Sequence, residues 1–224
     1  MKLINELLEE LRTVLGGKNS IIDSIIPPLL FAIANAVSDF RYAFWVSVGA
    51  SLAILLFRVI QHHNLRYALG GLAAALLAGC LAWLLDYAGA YYLPALVNGA
   101  ATLVILVLSI LLKRPAVAFT SFITRRWPLE WYWHPRVRPA YSEVTAIWVV
   151  FFAIKLAVQY YLYRINNLAA LAVINVVGGW PAMIALLVIS YLYGLRRLAT
   201  LHGPSVEEFK SQTPPPWQGQ RRGF

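Results

Sequence analysis

Long apolar runs separated by short polar segments dominate the sequence. Each run matches the length of a helix that crosses a hydrocarbon core of roughly 30 Å, because a helix rises about 1.5 Å per residue. The expected fold class is all-α, a polytopic integral membrane helix bundle with six transmembrane helices plus short amphipathic or re-entrant helices. The six predicted spans are residues 21–38, 43–60, 67–85, 91–112, 143–163 and 178–195.

Two shorter segments are predicted to be helical without crossing the membrane. Leucines recur at positions 3, 7, 8, 11 and 15 with charged residues between them, so residues 1–19 are predicted to form an amphipathic cytoplasmic helix. Residues 164–177 are too short for a further span beside their neighbours. We predict an outer-interfacial or re-entrant helix there, before the turn at residues 178–181.

The pattern divides the chain into three parts. Residues 1–19 form the N-terminal helix, and residues 20–198 form the membrane domain. Residues 199–224 are rich in Pro, Gly and polar side chains. Such a segment cannot bury enough apolar area to fold alone, so we predict a flexible cytoplasmic tail.

Composition and charge support a membrane protein. Hydrophobic residues make up 60% of the chain and charged residues 13%, which is outside the usual range of soluble domains. With a cytoplasmic N-terminus and six crossings, 16 of the 19 Lys and Arg residues lie inside, Arg41 and Arg164 lie outside, and Lys155 lies within a span. Both termini are therefore expected in the cytoplasm. Anionic lipid headgroups account for the net charge of +9, so no nucleic acid is expected as a partner.

The longest polar interval, residues 113–142, mixes basic and aromatic side chains. Tryptophan favours the headgroup zone and arginine favours anionic lipid, so this loop is expected to lie on the inner leaflet. The alternative is a surface that docks other membrane proteins. The residues predicted to contact lipid or a partner are Arg125, Arg126, Trp127, Trp131, Trp133, Arg136 and Arg138.

Lys155 lies in the middle of the apolar run WVVFFAIKLAVQYYLY, residues 148–163, and shares a helical stripe with Gln159. One interpretation is a ligand or ion pocket in the outer half of the bundle. The alternative is structural: Lys155 extends to the headgroups while amides bond between helices, since a central lysine costs only about 2.5–3.5 kcal/mol. The candidate pocket residues are Lys155, Gln159, Asn98, Asn35, Asn175 and Asp86.

Catalytic and metal-binding patterns are missing from the sequence. His62 and His63 are adjacent in a loop, His134 and His202 lie outside the predicted spans, and Cys80 is the only cysteine. No nucleophile elbow, phosphate loop or paired-carboxylate motif occurs. We therefore expect no enzyme activity, no metal and no cofactor.

Five short segments carry a family resemblance: LRYALGGL (65–72), LPALVNGA (93–100), KRPAVAF (113–119), KLAVQYYLY (155–163) and GWP (179–181). Over roughly residues 23–198 the sequence resembles the bacterial membrane family called domain of unknown function 3159. It is more distantly similar to the intracellular septation protein A family. The resemblance implies a protein of the bacterial inner membrane without established catalytic residues. The septation relatives are associated with envelope maintenance and division.

Two functional hypotheses follow. The leading one is a non-enzymatic envelope-maintenance protein, or a scaffold or accessory subunit of a membrane complex, that meets partner membrane proteins through residues 113–142. The competing one is a small-solute or ion transporter that uses the candidate pocket. A lipid or quinone site walled by Trp148 and Phe152 is a third possibility.

Overall fold

The computed structural model describes residues 18–60, 66–220 and 222–224, so most of the predicted N-terminal helix lies outside the described residues. Every regular element in the described ranges is helical, in agreement with the all-α prediction. The helices are α1 (Lys18–Val37), α2 (Phe40–Ile60), α3 (Arg66–Leu84), a 3-10 helix (Ala88–Tyr92), α4 (Leu93–Leu111), α5 (Ala116–Arg125), α6 (Leu129–Trp133), α7 (Arg138–Arg164), α8 (Leu168–Val177), α9 (Trp180–Leu201) and α10 (Val206–Lys210).

Four helical stretches in the described part are long and apolar enough to cross a bilayer. The last of them has 34 residues, more than the roughly 20 that one span needs, and it consists of α8 and α9 joined at a Gly-Gly turn. The predicted spans at 21–38 and 67–85 correspond to α1 and α3, which are helical but are not among these four. The four stretches are Phe40–Ile60, Ala88–Leu111, Arg138–Arg164 and Leu168–Leu201.

Large apolar side chains cover the outer surfaces of the long helices. Leu84 is 80% exposed and Leu111 is 70% exposed, and Trp45 and Ile105 are also exposed. Soluble monomers rarely present apolar surface on this scale to water. Together with the lengths of the helices, this surface indicates a membrane protein.

The chain divides into two compact units. One unit comprises the described part of Met1–Asn98 together with Lys155–Met183. The other comprises Gly99–Ile154 and Ile184–Phe224. We call them the first and second unit.

The first unit is assembled around α1, which packs against α2, α3 and α8. Phe31 of α1 is fully buried, and its ring stacks on that of Tyr91 with 3.7 Å between the centroids. The hydroxyl of Tyr91 lies 3.0 Å from that of Ser47 on α2, within hydrogen-bond distance. Buried alanines such as Ala43 and Ala82 allow the helix backbones to approach closely.

The second unit has an aromatic core. Trp131, Tyr132 and Tyr141 are fully buried, and their rings meet edge to face, with 5.1 Å between the centroids of Tyr132 and Tyr141. This core lies within the 113–142 interval, which the structure resolves into α5, α6 and the first turn of α7. We call residues 114–141 the aromatic platform.

Several described residues of the C-terminal tail, within 202–220 and 222–224, contact the platform. Val206, Phe209 and Phe224 pack against the buried aromatics of the platform, and Trp131 Nε1 donates a hydrogen bond to Pro204 O at 2.9 Å. The physical reason is that this segment, too polar to fold alone, brings its few apolar side chains to a surface that already exists.

Candidate functional site

Lys155 is half-buried on α7, and its ammonium group bonds to the end of a neighbouring helix. Lys155 Nζ donates a hydrogen bond to Gly178 O at 2.7 Å, directly after the last residue of α8. Carbonyl groups at the C-terminal end of a helix lack partners within the helix and carry partial negative charge, so a cation is favourable there. A backbone carbonyl as the partner of this lysine was not predicted from the sequence.

Gln159 and Asn175 form a second link between α7 and α8. Gln159 is only 2% exposed, and its Nε2 donates to Asn175 Oδ1 at 2.9 Å. Asn175 Nδ2 in turn donates to Leu171 O at 2.8 Å. We call Lys155, Gln159 and Asn175 the polar cluster, and each of the three side chains donates a hydrogen bond within the first unit.

The other three candidate pocket residues lie apart from these bonds. Asn35 is half-buried, whereas Asn98 and Asp86 are exposed. Within the described part of the chain, no hydrogen bond joins any of the three to the polar cluster. The structure thus brings together three of the six residues that the sequence grouped as a pocket.

An ion pair that the sequence analysis missed connects α7 and α9. Arg197 binds Glu143 with both prongs of its guanidinium group, at 2.7 Å from Nε to Oε2 and 2.8 Å from Nη2 to Oε1. The hydroxyl of Tyr193, one turn before Arg197, also donates to Glu143 Oε2 at 2.7 Å. The available signal was the spacing of four between Tyr193 and Arg197, which places both on one face of a helix.

Trp148, which the sequence suggested as the wall of a lipid or quinone site, bonds to α9. Its Nε1 donates to Ser190 Oγ at 2.8 Å, and Ser190 Oγ donates to Leu186 O. The ring of Phe152 stacks near that of Trp148, with 6.3 Å between the centroids.

Cations lie over aromatic rings across the platform. The guanidinium carbon lies 4.4 Å from the ring centroid of Trp133 for Arg114, and 4.9 Å from that of Trp127 for Arg125. Such contacts stabilise by about 0.5–1 kcal/mol at exposed sites. These contacts keep the guanidinium groups of Arg114 and Arg125 against the rings of the platform and restrict their orientation.

The remaining predicted contact residues differ in what they touch. Arg136 lies over the ring of Trp217 in the tail, and its Nη1 reaches His202 O at 3.5 Å. Arg138 is half-buried, and Trp131 is fully buried. Arg126 is exposed and follows the last residue of α5, with a φ of 53°. Among the seven predicted contacts, Arg126 and Arg136 are the exposed side chains.

Glu208 forms several hydrogen bonds within the C-terminal tail. It forms a capping box with Ser205 at the start of α10, and its carboxylate also accepts hydrogen bonds from Gln218 N at 2.7 Å and Gly219 N at 3.4 Å. Backbone N–H groups, first that of Gln218, lower the pKa of Glu208 to about 2. The carboxylate therefore stays charged throughout the neutral range, where it holds this fold of the tail.

A known family matches this chain over most of its length. A family described as "Protein of unknown function (DUF3159)" matches residues 15–201. The chain belongs to this family. No curated protein and no solved structure matches the chain. The resemblance to domain of unknown function 3159 is thereby confirmed, while the septation likeness stays a prediction.

The matched range of this DUF3159 protein includes most of the helices. It covers α1 to α9, and therefore the polar cluster, the ion pair of Glu143 and Arg197, and the platform. It ends at residue 201, so the tail lies outside it. Within the described residues, no group of three or more His, Cys, Asp or Glu side chains is placed to hold a metal ion.

Proposed function

We propose that this DUF3159 protein is a non-enzymatic protein of the bacterial inner membrane that serves as a scaffold or accessory subunit in envelope maintenance. The observation that carries the proposal is the exposed face of α5. Ile123 is 73% exposed and Phe119 is 41% exposed on this short helix, and the exposed Arg126 follows it directly. Apolar anchors beside an arginine are typical of surfaces that bind other proteins.

The core behind α5 supports this role. Ala118 and Ser121 of α5 are buried, and Ser121 Oγ lies 3.1 Å from the hydroxyl of the buried Tyr132, within hydrogen-bond distance. A binding surface on a rigid support loses less conformational entropy when a partner docks. Residues 114–141 thus offer an ordered surface that is cationic and partly apolar.

The proposal includes a six-span topology. The spans are α1, α2, α3, α4, α7 and α9, with both termini and the platform on the cytoplasmic side. The excess of basic residues on that side supports it, because short cytoplasmic loops collect Lys and Arg. The platform then lies at the inner leaflet, where anionic headgroups and partner membrane proteins are both within reach.

A transporter remains the second candidate function. Its support is Lys155, a half-buried cation on a long apolar helix, whose ammonium group bonds to a backbone carbonyl. Transport would require the polar cluster to open to water and to exchange internal hydrogen bonds for bonds to a solute. The scaffold is preferred because each side chain of the cluster already donates a hydrogen bond to another group of the protein.

Photocrosslinking in bacterial cells tests the scaffold. A photoreactive amino acid at position 123 should give a discrete adduct with a membrane protein, because α5 presents this side chain outward. Reversal of the neighbouring charge by Arg126→Glu should reduce the adduct severalfold. The measurement is the yield of the adduct on a denaturing gel.

The matched control is Arg164→Glu, which reverses an exposed charge at the end of α7 without touching the platform. It should leave the adduct at position 123 unchanged. Equal loss with both charge reversals, or no adduct at position 123, would count against a docking role for α5.

A further inference from the structure

Phe224 occupies a defined site in the second unit. Its ring stacks on that of Tyr141, with 4.3 Å between the centroids and 9° between the planes. Arg125 Nε donates a hydrogen bond to Phe224 O at 3.1 Å. The site therefore contacts the ring of Phe224 through stacking and the backbone of Phe224 through a charge-assisted hydrogen bond.

Two glycines define the shape of this site. A Cβ at Gly194 of α9 would lie 2.3 Å from Phe224 Cε2, so the ring fits only because position 194 has no side chain. A Cβ at Gly223 would lie 2.6 Å from Arg125 Nη1 and 2.9 Å from the ring of Trp127. Gly223 also has a φ of 76°, which favours glycine. The shape of the site and the backbone conformation at position 223 thus suit Gly223 followed by Phe224.

Hydrogen bonds within the tail hold it in place independently of Phe224. Glu208 binds the N–H groups of Gln218 and Gly219, and Gln220 Oε1 accepts a hydrogen bond from Val206 N at 3.1 Å. These contacts lie within the tail itself. The ring of Phe224 can therefore leave Tyr141 without unfolding of the rest of the tail.

The site and its occupant differ in their relation to the family. Arg125, Tyr141 and Gly194 all fall inside the matched range, which ends at residue 201. Gly223 and Phe224 fall outside it. The residues that form the site thus lie within the matched range, and the residues that occupy it lie in the tail.

We propose that Arg125, Tyr141 and Gly194 form a peptide-binding site for a glycine–aromatic pair, which Gly223 and Phe224 occupy in cis. Another peptide with the same pair binds there only after the tail withdraws. The tail is then a built-in competitor, and its release opens the site. This inference goes beyond the docking role of α5 and does not rest on it.

Titration of a labelled peptide into the full-length protein tests the inference. The peptide has the sequence of residues 213–224 and is followed by fluorescence anisotropy in detergent micelles. It should bind the Phe224→Ala protein at least about tenfold more tightly than the wild type, because a tethered competitor acts at a high effective concentration. A peptide with its own Phe224→Ala change should lose this binding.

Matched peptide variants distinguish specific binding at the site from nonspecific binding. A Gly223→Ala peptide should bind at least about tenfold more weakly, since its methyl group meets Arg125 and Trp127 in the bound conformation. A Gly219→Ala peptide is the control: Gly219 has a φ of 78°, but its added Cβ would meet only Gly203 O at 3.4 Å. The Gly219→Ala peptide should bind more tightly than the Gly223→Ala peptide.

A blocked site supplies the last comparison. In the Phe224→Ala/Gly194→Leu protein, the leucine fills the space of the ring, and peptide binding should be lost. Equal affinity for the wild-type and Phe224→Ala proteins, or undiminished binding of the Phe224→Ala peptide, overturns the inference. Should the leucine variant fail to fold, the peptide series on the Phe224→Ala protein alone decides.

Discussion

Replacement of Trp131 by alanine is expected to destabilise the protein by about 3–5 kcal/mol, the largest effect that we predict. Trp131 is fully buried at the centre of the platform, where its ring meets those of Trp127, Tyr132 and Tyr141. Alanine would leave a cavity among these rings and would also remove the donor that holds Pro204 O. Because the tail rests on the same core, it should detach at lower temperature than the helices unfold.

Trp131→Phe is the matched control. Phenylalanine keeps most of the aromatic volume but lacks the N–H group, so the loss should fall to about 1–3 kcal/mol, the cost of an unsatisfied buried acceptor. Near-ultraviolet circular dichroism during denaturation in detergent measures both variants. A Trp131→Ala protein no less stable than Trp131→Phe would contradict the central position of this ring.

Replacement of Gln159 by leucine is the second prediction. It should destabilise the first unit by about 0.5–2 kcal/mol, the range for hydrogen bonds between helices in membranes. Gln159 is almost fully buried, and its loss leaves Asn175 Oδ1 without its donor. The double variant Gln159→Leu/Asn175→Leu should recover most of the loss, because an apolar pair has no unsatisfied group.

The same double-mutant cycle distinguishes structure from function at the polar cluster. If the two amides serve only to join α7 and α8, their effects on stability are strongly coupled. Additive effects of the two substitutions on the free energy of unfolding would show that the side chains act separately. Thermal unfolding of the four proteins in one detergent provides the comparison.

Apolar runs made the helices predictable, because a segment of about 20 apolar residues has few alternatives to a helix in lipid. The run predicted at 143–163 lies within α7, which begins earlier, at Arg138. Pro139 falls in its first turn, where the missing N–H group does no harm. From the sequence, this proline was predicted to lie in the loop at residues 113–142.

The same reasoning explains the interval 113–142. Pro115 and Pro128 directly precede α5 and α6, so they start helices there rather than ending order. A pattern read along the chain marks such prolines as breaks. Only the packing of Trp131 and Tyr132 into a core decides that the breaks are short.

Long-range pairs were beyond the sequence analysis. Glu143 and Arg197 are 54 residues apart, and nothing local indicates that they meet. For Lys155 the sequence left open a pocket or an extension to the headgroups, and the carbonyl of Gly178 has no signature in the sequence, since every residue has one. The tail was expected to be flexible on composition, and its contacts with the platform depend on side chains far away in the chain.

The polar cluster is proposed to hold helices together, and the platform is proposed to meet partners. The most direct test is access of a membrane-impermeant aqueous thiol reagent to single cysteines at positions 155, 159 and 175, in a Cys80→Ala background. A cysteine at position 126, exposed on the platform, is the labelled reference in inside-out vesicles. The account predicts protection at the three cluster positions from both sides of the membrane, together with labelling at position 126. Labelling at two or more cluster positions would reveal a water-filled path and would contradict it.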